Sequence, residues 1–146
     1  MGNTHFSGPV SVGAASYESL ITTKSITEKD NGKTFGLNLA GGFTVTLPDI
    51  STVGAGFKIK FRVEIAPTTA YIITENTATE TNKIVGSINT STGQTTPAAF
   101  EATGATLITF VVSSGAVIGD WVSIETNGTF WFVYGQCTVP AAITIT

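Results

Sequence analysis

Apolar and polar residues alternate with a period of two along most of this chain, a pattern typical of β-strands with one buried face. Threonine is the usual polar partner, and its β-branched side chain suits a pleated, half-wet surface. Turn residues such as Asp30-Asn31-Gly32, Gly41-Gly42 and Asn127-Gly128 separate the runs. The predicted strands cover residues 17–27, 33–39, 43–47, 57–66, 70–74, 83–88, 106–113, 121–126 and 130–134.

Short strands at this spacing predict an all-β fold, an antiparallel β-sandwich or a small barrel of jelly-roll-like form. A jelly roll, an immunoglobulin-like sandwich and a small barrel fit the pattern equally well. Residues 1–16 differ from the rest, because they are mostly small and carry no charge apart from a possible one on His5. We therefore expect an extended N-terminal arm over residues 1–16 and one β-domain over residues 17–146.

The composition excludes several classes of protein. Only 12% of the 146 residues are charged, 42% are hydrophobic and the net charge is −3, which does not fit a disordered acidic tail or a nucleic-acid binder. The single cysteine, Cys137, excludes an intrachain disulfide and a multi-cysteine zinc site, and its context predicts a buried thiol. The N-terminus has no signal-peptide pattern, and no apolar run is long enough to cross a membrane. We expect synthesis in the cytoplasm without export.

The clearest single element is a predicted hairpin around Asn127-Gly128, a dipeptide that favours a two-residue turn. This turn would place Thr126 opposite Thr129, and Ile124 opposite Trp131. The second strand is apolar on both faces, which is typical of a strand inside a further layer or in a subunit interface. Four large side chains on one face are the candidate protomer interface, with a capped aromatic core as the alternative. They are Trp121, Phe130, Phe132 and Tyr134.

Residues 58–65 alternate without interruption. The pattern directs Ile59, Phe61, Val63 and Ile65 towards the core. It leaves Lys58, Lys60 and Arg62 in an outer basic row. This basic row predicts either a docking stripe for an acidic surface or a solvated face that blocks edge pairing.

Signals for catalysis are weak. His5 is the only histidine, and the chain has no nucleophile elbow, phosphate loop or dinucleotide fingerprint. A carboxylate pair stays open as an alternative, because several acidic residues could meet in space. These are Glu18, Glu75, Glu80, Glu101, Asp120 and Glu125. We expect no enzyme activity, no catalytic residue, no cofactor and no metal.

Two stretches resemble small β-rich virion proteins of tailed bacteriophages. Thr44-Val45-Thr46-Leu47-Pro48-Asp49 with the following residues 54–63 is similar to their "TVTLP … G-x-x-F-x-F-x-V" stretch, and residues 119–135 are similar to their "GDxVxLxxDGTxWxVxG" ending. The chain departs from this ending by having Asn127 before the glycine and extra aromatics at Trp121 and Phe130. The opening residues 3–10 also resemble the starts of short phage head proteins.

The resemblance implies a capsid decoration protein on the phage head surface. Such proteins bind the expanded head and bridge subunits of the major capsid protein, usually as trimers or similar clusters. The chain's own Met1, its length and its arm-like start favour this role over a module of a longer fibre. The implied capsid contact lies in the arm. It comprises Thr4, His5, Phe6, Ser7, Gly8, Pro9 and Val10.

Two other functions remain open. A tail fibre, spike or head-fibre module would use similar β-units to bind host-surface glycans. A carbohydrate-binding module would use Trp121, Phe130, Phe132 and Tyr134 as an exposed platform instead of an interface. No nucleic-acid or membrane partner is expected in any of these cases.

Overall fold

The computed structural model describes residues 17–91 and 99–146, so the predicted arm over residues 1–16 lies outside the described residues. Twelve strands form two sheets within the described part. A four-residue helix α1 (Ile50–Val53) and a 3-10 helix (Glu28–Asp30) lie between strands. The strands are β1 (Tyr17–Leu20), β2 (Lys24–Ser25), β3 (Thr34–Leu37), β4 (Thr44–Thr46), β5 (Lys58–Val63), β6 (Tyr71–Thr74), β7 (Ile84–Thr90), β8 (Ala99–Ala105), β9 (Leu107–Phe110), β10 (Trp121–Thr126), β11 (Trp131–Cys137) and β12 (Ile143–Ile145).

The two sheets make the all-β, sandwich-like fold that the sequence predicted. Sheet A has seven strands in the order β1-β3-β5-β10-β11-β7-β8, and sheet B has five in the order β12-β9-β6-β4-β2. Both sheets are open rather than closed into a barrel. The expectation of antiparallel sheets was wrong, because five of the ten strand pairings in the described residues are parallel.

The parallel pairs arise because the chain coils. The first six strands alternate between sheet A and sheet B, so β1, β3 and β5 stack in parallel on one side and β2, β4 and β6 on the other. Parallel neighbours need a crossover connection, and here a strand of the opposite sheet supplies it. The later strands β9–β12 extend both sheets mainly by antiparallel pairing.

The coil stacks matching side chains in columns. Leu20, Leu37 and Val63 occupy equivalent positions of β1, β3 and β5 and are all buried. In the neighbouring column, the rings of Phe35 and Phe61 stack with their centroids 5.4 Å apart, and both are fully buried. Aromatic stacking adds to the stabilisation that area burial already provides.

A cluster of charges ends the second column at the edge strand. Glu18 occupies the position of β1 that matches Phe35 and Phe61. Its carboxylate accepts hydrogen bonds from Lys24 at 2.7 Å and Lys33 at 3.3 Å, and Lys33 also binds Asp30 at 2.8 Å. The Lys24 ammonium lies 5.2 Å from the centre of the Phe35 ring. We call Glu18, Lys24, Asp30 and Lys33 the ionic cap.

The hairpin of β10 and β11 has the predicted faces but not the predicted register. Thr126 pairs with Trp131, not with Thr129, so the connection has four residues instead of two. The Asn127 side-chain oxygen accepts the backbone N–H groups of Thr129 and Phe130 at 2.9 and 3.0 Å, which builds the longer loop. A shift of two residues leaves each side chain of β10 and β11 on its predicted face, but Phe130 falls in the loop instead of the strand.

The core prediction for residues 58–65 needs one correction. Ile59, Phe61 and Val63 are buried as expected, but Ile65 is exposed. Strand β5 ends at Val63, so the alternation no longer applies to Ile65.

Candidate interaction surface

Three adjacent strands, β5, β10 and β11, form the middle of sheet A and share one outer face. Their inner side chains are buried in the core, whereas the alternate positions remain half-buried or exposed. The register sets these outer side chains in rows across the strands. One row places Lys60, Ser123 and Tyr134 side by side, and the next brings Arg62 beside Trp121.

The predicted interface residues divide between this face and the hairpin loop. Trp121, Phe132 and Tyr134 lie on the outer face, and Tyr134 is 51% exposed. Phe130 is half-buried in the loop, where the Lys83 ammonium lies 5.5 Å from its ring centre. We keep the name aromatic patch for Trp121, Phe130, Phe132 and Tyr134. A cleft of about 280 Å³ beside it is lined by Glu125, Thr126, Asn127, Phe132 and Tyr134.

The basic row of Lys58, Lys60 and Arg62 lies on the same face. The Lys60 ammonium stands 4.0 Å from the centre of the Trp121 ring, and the Arg62 guanidinium stands 5.8 Å from the centre of the Tyr17 ring. Both distances are within the range of cation–π attraction. The basic row and the aromatic rings therefore form one mixed surface rather than separate stripes.

Tyr17 of β1 also contributes to this face through a contact with Glu64, and the alternation did not predict this contact. The Glu64 carboxylate accepts hydrogen bonds from the Ser19 hydroxyl at 2.6 Å and from the Tyr17 hydroxyl. These bonds, with Ser19 the larger, hold the pKa of Glu64 below its usual value. Burial, followed by the bond to Glu64, raises the pKa of the Tyr17 hydroxyl. Gly36 lies between them, and a Cβ there would come within 2.2 Å of the Tyr17 hydroxyl.

Three of the six acidic candidates accept hydrogen bonds from N–H groups of the fold, so their carboxylates have a structural role. Glu75 accepts the backbone N–H groups of Asn82 and Lys83, and Asp120 accepts those of Val117 and Thr138. Glu80 accepts the Ile50 backbone N–H at 2.6 Å and the Trp131 indole N–H at 3.2 Å.

The other three acidic candidates lie elsewhere. Glu18 belongs to the ionic cap, and Glu125 is exposed on the outer face of sheet A. Glu101 binds the N–H and hydroxyl of Thr103, and these bonds lower its pKa. Within residues 17–91 and 99–146, no group of three or more His, Cys, Asp or Glu side chains is placed to hold a metal ion.

The remaining site predictions concern Cys137 and the arm. Cys137 is buried at the end of β11, and burial raises the pKa of its thiol. The predicted capsid contact, Thr4 to Val10, lies outside the described residues and stays a prediction.

No family model, curated protein or solved structure matches the chain. In the part of the chain that the structure describes, no helix is long and apolar enough to cross a membrane.

Proposed function

We propose that this chain is a structural protein of a tailed-phage virion, a decoration protein on the outside of the expanded head. It acts by binding: each copy bridges subunits of the major capsid protein, and the copies associate with one another, as a trimer. The observation that carries the proposal is the mixed aromatic and basic outer face of sheet A, on which Tyr134 is 51% exposed.

The position of this face agrees with the sequence resemblance. The two stretches that resemble phage virion proteins include β5 and the β10–β11 hairpin, which are separated by about 60 residues in the chain yet pair directly in sheet A. The parts of these stretches that form β5, β10 and β11 are therefore neighbours in sheet A, and their outer surface is the proposed contact region, whereas β4 of the first stretch lies in sheet B. Large aromatic side chains are enriched at protein–protein interfaces, where they bury area at little entropic cost.

The proposed mechanism is thermodynamic. A protein that binds only the expanded shell stabilises that state in proportion to the logarithm of its concentration over its Kd. A copy held in a trimer finds its next site at high effective concentration, so modest single contacts suffice. The aromatic patch provides the contact between copies, and the arm provides the anchor on the major capsid protein.

Co-sedimentation with purified phage heads tests the proposal. We expect stoichiometric binding to expanded heads and little binding to unexpanded heads, with light scattering giving the mass of a trimer. The double variant Phe132→Ser and Tyr134→Ser should dissociate the trimer and weaken head binding at least tenfold. The matched control is Ile21→Ser and Ile118→Ser, because both isoleucines are strongly exposed and lie outside the aromatic patch. A monomeric wild-type protein that ignores expanded heads would refute the proposal.

The arm has a separate test. A variant lacking residues 1–10 should remain folded and trimeric but lose occupancy on expanded heads. Full occupancy without these residues would exclude the arm as the anchor, while leaving the outer face as the contact.

A second function is favoured by one observation, the cleft beside the aromatic patch. It combines two aromatic rings, Phe132 and Tyr134, with the carboxylate of Glu125 and the amide of Asn127, and this combination suits a sugar ring with its hydroxyl groups. On this alternative the chain is a glycan-binding module of a fibre or of the head surface. Saturable binding to a glycan array by a monomer that ignores heads would favour it, and Tyr134→Ser should abolish that binding.

A further inference from the structure

A small cleft on the outer face of sheet A lies between β3 and β10, over the first half of β5. It has a volume of about 100 Å³ and is lined by Gly32, Lys33, Thr34, Lys58, Ile59, Lys60 and Ser123. We call it the lysine cleft. Three of the chain's seven basic side chains line it, and its lining includes no carboxylate.

The polar groups at the mouth of the cleft are largely unused. Among residues 17–91 and 99–146, neither Lys58 nor Lys60 forms a salt bridge, and the hydroxyls of Thr34 and Ser123 make no hydrogen bond. The register places Lys60 between Thr34 and Ser123 on its two neighbouring strands. In the described structure, two lysines without a salt bridge and two hydroxyl residues thus line one small space, and the Lys60 ammonium also contacts the Trp121 ring.

The positive charge of Lys33 is balanced by two carboxylates, so Lys33 attracts an anion less strongly than the other two lysines do. Its ammonium is bonded to Asp30 at 2.8 Å and to Glu18 at 3.3 Å, and these bonds raise its pKa, so it stays protonated. Glu125 is directly opposite Lys58 in the ladder, although the two charges form no salt bridge in the described structure. Glu125 would therefore compete weakly with a bound anion.

We propose that the lysine cleft is a binding site for an oxyanion, a phosphate group either free or carried on a sugar. Ammonium groups and hydroxyls supply hydrogen bonds to phosphate oxygens, and charge-assisted bonds of this kind are stronger than neutral ones. The volume of the cleft, about 100 Å³, is small and suits a single such group. The Trp121 ring, 4.0 Å from the Lys60 ammonium, offers an adjacent apolar surface for an attached sugar. This inference does not depend on the role proposed above.

Titration of ¹⁵N-labelled protein with inorganic phosphate tests the site. We expect saturable chemical-shift changes at the amides of Gly32, Lys60 and Ser123, with a Kd in the millimolar range. Potassium chloride at matched ionic strength should not reproduce them. Shift changes that chloride reproduces, or that do not saturate, would overturn the proposal.

Variants test whether the two lysines of the cleft bind the phosphate. The double variant Lys58→Gln and Lys60→Gln should weaken phosphate binding at least tenfold. The control Lys29→Gln and Lys83→Gln removes two charges from outside the cleft and the basic row and should change the affinity by less than about threefold. Glu125→Gln should tighten binding about twofold, because it removes the competing charge. If the test and control variants lost phosphate affinity equally, binding would depend only on the net charge of the protein, and the proposed site would be overturned.

Glucose 6-phosphate and glucose separate the two sources of the oxyanion. Binding of glucose 6-phosphate at least threefold tighter than inorganic phosphate supports a phosphorylated saccharide as the ligand. Equal affinity supports recognition of the phosphate group alone. Shifts of the same amides by unphosphorylated glucose at the same concentration would overturn the oxyanion site.

Discussion

The ammonium group of Lys60 lies 4.0 Å from the centre of the Trp121 ring, across the boundary between β5 and β10. The pair is half-buried on the outer face of sheet A and joins the basic row to the aromatic patch. Its geometry holds both side chains in place and so orders the surface that we propose as a contact region.

This pair predicts a measurable coupling. Lys60→Gln should lower the free energy of unfolding by about 0.5–1 kcal/mol, the usual value of a partly exposed cation–π contact. In the background of Trp121→Leu the same change should have almost no effect. Urea unfolding of the four proteins completes the cycle. Lys58→Gln is the control. An equal loss of unfolding free energy in this variant would mean that the effect comes from removing a positive charge and not from the contact with Trp121.

The ionic cap predicts a dependence of stability on pH. Burial acts to raise the pKa of Asp30, but the bonds from Lys33 and the Thr27 backbone and the charge of Lys24 outweigh it, so the pKa lies below 3.8. Hydrogen bonds, first from Lys24, hold the pKa of Glu18 below 4.5. A lowered folded-state pKa means that the stabilisation is complete above the unfolded-state value and is lost as pH falls through the folded-state value.

Melting curves between pH 7 and pH 2 check this dependence. The wild-type Tm should begin to fall as pH approaches 4.5 and continue to fall below 3.8. Asp30→Asn should be less stable at pH 7 and should have a shallower slope below pH 4. Glu28→Gln, an exposed neighbour, is the control. If Asp30→Asn and wild type lost stability in parallel, the cap would not be the source of the slope.

Glu80 links the N-terminus of α1 to the core through two buried bonds. Glu80→Ala leaves the Ile50 N–H and the Trp131 indole N–H without an acceptor, so it should cost about 2–5 kcal/mol of unfolding free energy. Urea denaturation measures this loss. Glu28→Ala should cost less than about 0.5 kcal/mol. A small loss at Glu80 would mean that water replaces the carboxylate.

Gly86 is required by a close approach of two strands. Its φ is +144°, and a Cβ there would lie 2.0 Å from the carbonyl oxygen of Val133 on β11. Gly86→Ala should destabilise the protein by about 2 kcal/mol or more, because the contact is with backbone that cannot move aside. Gly41→Ala is the control, since no atom lies within 4 Å of its Cβ position. Thermal unfolding compares the two.

The sequence predicts which face each side chain takes more securely than how the strands pair. Alternation alone places Phe61 inside and Lys60 outside, because successive side chains of a strand point to opposite faces. Register and direction depend on the connections: the Asn127 side chain lengthens one loop, and the coil makes β1, β3 and β5 parallel. A period of two contains no information on either.

For the candidate surface, the sequence predicted most of the residues on the face but not the contact that joins β1 to it. The basic row and three of the four aromatic residues follow from alternation on β5, β10 and β11. The contact of Tyr17 with Glu64 joins residues 47 positions apart and depends on the parallel coil. Gly36 was the available signal, because a glycine within a strand often marks a close approach of another group.

The ionic cap has one further consequence. Among residues 17–91 and 99–146, β1 is the outermost strand of the parallel stack, and the edge of a sheet is where a second copy can add a strand. Such a junction would have to strip water from Glu18, Lys24 and Lys33 against an apolar column that ends at Phe35, and burying charges in this way is costly. We therefore expect the cap to oppose end-to-end joining of copies at this edge.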